Sequence, residues 1–216
     1  MMAGKFTVKI ILRLRVKVII FLLLIISPFI YGQNVHADIK MQPEALTNQE
    51  EISDLMLIEG IEGFKLKFRG IDLIDKHYLI TMKEFWNGEL TTLDTIMNSA
   101  RYNDILKIRA DSIQIKVMSK KLADKRLKVM FTFPKVRNTQ YYPATNSDDY
   151  SLRILNQRED FAIKLDQPFY LLAYIMPYEK DGILHWCSVD QSGYEVEDWG
   201  KEFGLEHYLV YEMLFR

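Results

Sequence analysis

The sequence predicts a mainly β protein, a single antiparallel β-sandwich of immunoglobulin-like or jelly-roll-like form with a short N-terminal helix. Three observations carry this. Apolar and polar residues alternate over several short runs, the period of a strand with one wet face. Glycine-, asparagine- and aspartate-rich turns separate those runs at short intervals. Nowhere do strands alternate with long helices, which argues against an α/β fold. Twelve tyrosines, twelve phenylalanines and three tryptophans suit a β-rich core.

The chain opens differently. Its first seventeen residues carry Lys5, Lys9, Arg13, Arg15 and Lys17 and no acid, and the apolar run VIIFLLLII follows from Val18 to Ile26. A basic region followed by a short apolar one is the pattern of an export signal. Counted on through Tyr31 the apolar stretch has fourteen residues, short of the roughly 20 that cross a bilayer as a helix. The reading is therefore an export signal over residues 1–37 and a single β-rich domain over 38–216. Cleavage after Ala37 in VHA/DI fits the small-x-small rule better than cleavage after Gly32. An uncleaved signal anchor is the alternative, and the only route by which this sequence would hold a membrane. The expected location is periplasmic, cell-surface or secreted.

Within the domain, Thr47-Asn48-Gln49-Glu50 has the spacing of a capping box, and Ile52, Leu55 and Met56 follow at helical intervals, predicting a helix over about 48–58. Phe64, Leu66 and Phe68 then alternate with Lys65, Lys67 and Arg69, a strand. Asn87-Gly88 separates two β-rich runs between His77 and Met97, a hairpin with a type I′ turn. Ile113, Ile115 and Val117 share one face, as do Leu127, Val129, Phe131 and Phe133, and Pro134 ends that second strand. Residues 137–151 read as an excursion between strands. Phe169 to Met176 is apolar on both faces and reads as a central strand, with ILHWCSVDQSG, residues 183–193, returning as its partner after a turn at 178–182. Residues 205–215 fit either a helix, through Leu205, Tyr208, Leu209 and Met213, or a last, buried strand by alternation, and their aromatic and β-branched content favours the strand. The expected total is seven to nine strands.

Composition excludes several functions. Residues 1–37 hold five of the 28 basic residues and none of the 29 acids, so the remainder has a net charge of −6. That balance argues against a nucleic-acid binder, which needs a basic face. Gly60-Ile61-Glu62-Gly63 lacks the lysine of a phosphate loop, and no Gly-x-Ser-x-Gly elbow is present. His77, His185 and His207 have no metal-site spacing, and Asn146 to Asp149 lacks the alternating ligands of a calcium loop. No metal and no cofactor is expected.

The catalytic candidates are Cys187, the only cysteine, with His185 two residues before it. On a strand the two side chains share a face about 7 Å apart, beyond direct hydrogen bonding, so His77 or His207 is the alternative base. Ile183 and Val189 share that face, which predicts a buried, structural thiol. Glu195, Glu197 and Asp198 around Trp199 are the candidate carboxylates for a glycosidase-type pair. The binding candidates are Trp86 at the hairpin tip and Tyr141 and Tyr142 in the expected loop, since exposed aromatics make good contact residues. The function expected from all this is a non-enzymatic binding module for a protein, cell-envelope or glycan partner. A small exported hydrolase and a structural or assembly subunit are the alternatives.

Overall fold

The computed structural model describes residues 38–156, 161–180, 182–185 and 195–216. The compact unit that contains them runs from Ala37 to Arg216. Two five-stranded antiparallel sheets pack face to face as a β-sandwich. The first has the order β1 (Lys40–Ala45), β2 (Ile61–Arg69), β5 (Ser112–Leu122), β6 (Arg126–Thr132), β7 (Arg137–Pro143). The second has the order β4 (Glu89–Asn98), β3 (Tyr78–Trp86), β12 (His207–Phe215), β9 (Phe169–Ile175), β8 (Ser151–Ile154). A separate ribbon pairs β10 (Tyr178–Lys180) with β11 (Ile183–His185). Two short α-helices, α1 (Glu50–Ile58) and α2 (Trp199–Phe203), and three short 3-10 segments complete the regular elements among the described residues.

Alternation decides the core. On β2 Leu66 and Phe68 point inward between Lys65, Lys67 and Arg69; on β5 and β6 the inward set is Ile113, Ile115, Val117 and Leu127, Val129, Phe131. They meet Ile80 and Met82 of β3 and Leu209, Tyr211, Met213 and Phe215 of β12. Phe68 packs edge-on to Phe215 at 5.2 Å, and Phe131 meets Tyr211 at 5.1 Å between ring centroids. Each fully buried side chain of this size contributes about 1.5–3 kcal/mol relative to exposure.

β9 and β12 are apolar on both faces because there is a second core. Phe85, Ala173, Ile175, Tyr208 and Val210 on the outer face of the second sheet are covered by Val196, Trp199 and Leu205. The cover is pinned at the β3–β4 turn, where Asn87 (φ 50°) and Gly88 (φ 78°) both take the left-handed backbone that a type I′ turn needs. Asn87 donates its N–H to the Glu206 carbonyl at 2.7 Å. A Cβ on Gly200 would lie 2.3 Å from the Gly88 Cα, so α2 reaches the hairpin because residue 200 is glycine.

Several expectations change. Among the described residues there are twelve strands rather than seven to nine, ten of them in the two large sheets. Residues 137–143 are not an excursion but β7, which pairs with β6 from Arg137↔Thr132 to Pro143↔Arg126. An edge strand tolerates such a polar sequence because one side of its backbone faces water, and Pro143 sits at its end, where no ladder bond is needed. Residues 183–185 do return after a turn, but as partner of β10; β9 is flanked instead by β12 and β8. The helix starts at Glu50, and Thr47 Oγ1 accepts the N–H of Gln49 at 3.1 Å instead of capping the third residue on. Residues 186–194, with Trp186, Cys187 and the stretch Asp190-Gln191-Ser192-Gly193, whose composition reads as a turn, lie outside the described residues.

Candidate functional site

The inter-sheet core turns polar at one end, where β3 finishes, β12 begins and the chain enters β8. Along β3 the inward positions run Ile80, Met82, Glu84, so the alternation that buries two apolar residues also buries a carboxylate, 5 % exposed. β12 pairs antiparallel with β3, with His207 opposite Trp86 and Leu209 opposite Glu84. The two rings lie 4.1 Å apart at 34°. Glu84 Oε1 accepts from Trp86 Nε1 at 3.0 Å and meets His207 Nε2 at 3.1 Å. On the far side of the imidazole, Nδ1 lies 2.8 Å from the Tyr150 hydroxyl, and that oxygen accepts the N–H of Thr145 at 3.2 Å. Because a carboxylate only accepts, one ring proton sits on Nε2, while the Tyr150 hydroxyl stands between Nδ1 and Thr145 Oγ1, 3.3 Å away.

The electrostatics agree. Burial pushes the Glu84 carboxyl up, but hydrogen bonds from His207, Trp86 and Thr92 outweigh it and hold it below the ordinary carboxylate range. Burial pushes the Tyr150 phenol up, against hydrogen bonds from Thr145. A carboxylate, an imidazole and a hydroxyl in line are the parts of a nucleophilic relay. Here the hydroxyl belongs to Tyr150, 6 % exposed, and is held by Thr145, while His207 is 0 % exposed. A reacting group needs room for a substrate atom beside it, and little of Tyr150 reaches water, although the residue contributes to the wall of a cavity at the sandwich edge. What the arrangement does chemically is satisfy a buried carboxylate and orient the rings around it.

Other polar groups follow in the same interior. Tyr142, Tyr174 and Tyr211 are buried, and burial pushes all three phenols up. Among the described residues, the hydroxyls of Tyr142, Tyr211 and Ser119 complete no hydrogen bond of good geometry.

Among the described residues, the structure brings two candidates together in this network, Trp86 and His207. Tyr142 turns inward, whereas Tyr141, next to it on β7, is 48 % exposed with the Arg126 guanidinium 5.0 Å over its ring. His185 is half-buried against Tyr178, ring centroids 5.5 Å apart, and Cys187 lies outside the described residues. His77 sits at the opposite end of β3, with Nδ1 3.1 Å from Ser99 Oγ. Among the described residues no three metal-ligating side chains converge. Asp148 is 94 % exposed and pairs with Lys121 at 2.6 Å.

Of the candidate carboxylates, Glu197 meets Lys83 Nζ at 2.9 Å, and the same ammonium meets Glu212 at 3.0 Å. Burial pushes the Glu197 carboxyl up, yet the hydrogen bond and charge of Lys83 bring it below its ordinary value. A glycosidic acid needs the opposite shift. Tyr170 adds its hydroxyl to Glu197 at 3.1 Å. The group is a clamp holding the 195–198 segment to the outer face of the second sheet.

A second feature lies at the sandwich edge. α1 buries none of its residues, and with β1, β2 and β8 it walls a groove of about 570 Å³, adjoined by a second of about 530 Å³. Within it the Glu62 carboxylate accepts the Ser151 hydroxyl at 3.1 Å and the backbone N–H of Leu152, so an acid side chain occupies an edge amide that another strand would otherwise take.

Sequence reasoning missed Glu84, Tyr150, Thr145, Glu62 and Arg153. Glu84 alone had a signal, an acid in register with the inward residues Ile80 and Met82. The others are positioned by contacts between sheets, distant in sequence. No helix of the described residues is long and apolar enough to cross a membrane. The chain matches no known protein-family model, and neither curated proteins nor solved structures offer a match.

Proposed function

We propose that the chain is an exported, non-enzymatic binding module that takes a protein or cell-envelope partner, a glycan being the third class, in the groove between α1 and the sandwich edge. The observation that carries this reading is the state of α1. None of its nine residues is buried, and Ile52, Leu55, Leu57 and Ile58 are 44 %, 61 %, 79 % and 81 % exposed. A helix this short is marginal on propensity alone and draws its stability from packing an apolar face. Apolar side chains clustered in water beside a groove mark an interaction surface.

The loop aromatics lend less support: Trp86 is engaged with His207 and Glu84, and Tyr142 faces the core. A hydrolase draws less still, because the His207 relay ends on a buried phenol held by Thr145 and Glu197 is held by Lys83. The test is a photo-crosslinking residue placed at Leu57, compared with one at Leu93, which is 66 % exposed on the opposite edge strand β4. Adducts to a discrete partner from position 57 and not from 93, in cells exporting the protein, are the expected outcome. Equal adducts, or none from 57, would overturn the reading.

A further inference from the structure

Among the described residues, Arg153 is a cation without an acceptor. It stands on β8 between Leu152 and Ile154, both of which point into the inter-sheet core, so alternation directs Arg153 away from it. The residue is half-buried, its Nε is removed from water with no hydrogen-bond partner, and it forms no ion pair among the described residues. The Glu62 carboxylate beside it is engaged by Ser151 and Leu152. Removing part of a guanidinium from water without an acceptor is unfavourable. Arginine is also the side chain best shaped to take a carboxylate through two parallel hydrogen bonds.

Arg153 and Glu62 line both cavities at the sandwich edge, and so do Met56 and Leu57 of α1. Arg153, unpaired among the described residues, therefore lines the same space as the exposed apolar wall. We propose that Arg153 anchors a peptide carboxylate whose flanking apolar side chain packs on α1. This rests on the binding role of the groove and names its ligand class. A fatty acid carries the same charge, but its tail wants an enclosed apolar tunnel; this groove is open and mixes Glu44, Thr47 and Ser53 with its apolar residues, which suits a peptide backbone.

The Nε–H of Arg153 is its own reporter. In a ¹⁵N spectrum of the full domain, N-acetyl-leucine should shift the Arg153 Nε–H resonance saturably. N-acetyl-leucine amide should not, and decanoate should shift it no further than acetate does. Absence of a saturable shift with N-acetyl-leucine, or an equal shift with the amide, overturns the proposal; a stronger response to decanoate overturns the peptide and points to a lipid. In Arg153→Gln the perturbation of the Met56 and Leu57 amides by N-acetyl-leucine should vanish, and in Arg153→Lys it should persist weakly. The crosslink from position 57 separates the two claims: if it survives unchanged in Arg153→Gln, the groove binds a partner and the carboxylate anchor is wrong.

Discussion

Glu84 is the residue on which the polar end of the core depends. Replacing it by alanine strands Trp86 Nε1 and His207 Nε2 without their acceptor. Breaking a buried charged contact by removing one partner costs about 3–5 kcal/mol, and Glu84→Ala should lower stability by that much in urea unfolding. Glu84→Gln keeps the shape and an acceptor for Trp86, and should cost about 1–3 kcal/mol. The two proteins also differ in pH response. The carboxyl is held below its ordinary value when folded, so its contribution is full above the unfolded pKa and is lost as pH falls through the folded one. The gap in unfolding free energy between wild type and Glu84→Gln should therefore be widest near neutrality and shrink on acidification; a gap that widens toward acid would contradict the assignment. Lys83 behaves otherwise. Its partner Glu197 is partly exposed, so Glu197→Gln should cost no more than about 1 kcal/mol.

At the scale of elements, the β3–β4 hairpin and α2 act as one piece. Gly200→Ala would drive a methyl into the Gly88 backbone, and neither side is a flexible side chain that can give way. A loss of about 1–3 kcal/mol is expected, as for other overpacked sites, with the Trp86 and Asn87 amides shifting in the NMR spectrum. α1 should respond in the opposite way. Leu57 and Ile58 are almost fully in water, so Leu57→Ser and Ile58→Ser should leave the urea midpoint within about 0.5 kcal/mol of wild type. A large loss there would mean that the helix is packed, and would remove the basis for a binding groove. The hairpin was legible in the sequence because Asn-Gly is a local signal. The place where α2 meets it was not, because nothing local tells one glycine which backbone will approach it.

For the whole molecule, the decisive feature is that the last strand in the chain lies in the middle of the second sheet. β12 pairs with β3 over nine residues and with β9 on its other side, and its two faces serve both cores. Deleting residues 207–216 should abolish the cooperative fold, read as loss of dispersed amide resonances, since the second sheet falls into two separate pairs and both cores open. Leu66→Ala, at 0 % exposure in the first sheet, should instead leave a folded protein weaker by about 2–5 kcal/mol. Much of this architecture was readable. Alternation at 64–68, 113–117, 127–133 and 205–215 located strands and their inward faces, because the period of two is a property of each segment by itself.

Alternation failed where a strand sits at an edge, as at 137–143, since a strand with one wet side has little need of apolar residues. It also failed to assign partners, as when 183–185 joined β10 rather than β9, because pairing is settled by turn geometry and by competition among strands. The sequence by itself determined the antiparallel β class, the inward faces and the hairpin turn, all encoded within a few consecutive residues. Only the tertiary structure decided that Glu84, His207 and Tyr150 form one buried network, that Tyr142 turns inward while Tyr141 stays in water, and that Arg153 shares a groove with α1. Those relations join residues far apart in the chain, and they exist only once the two sheets have closed on each other.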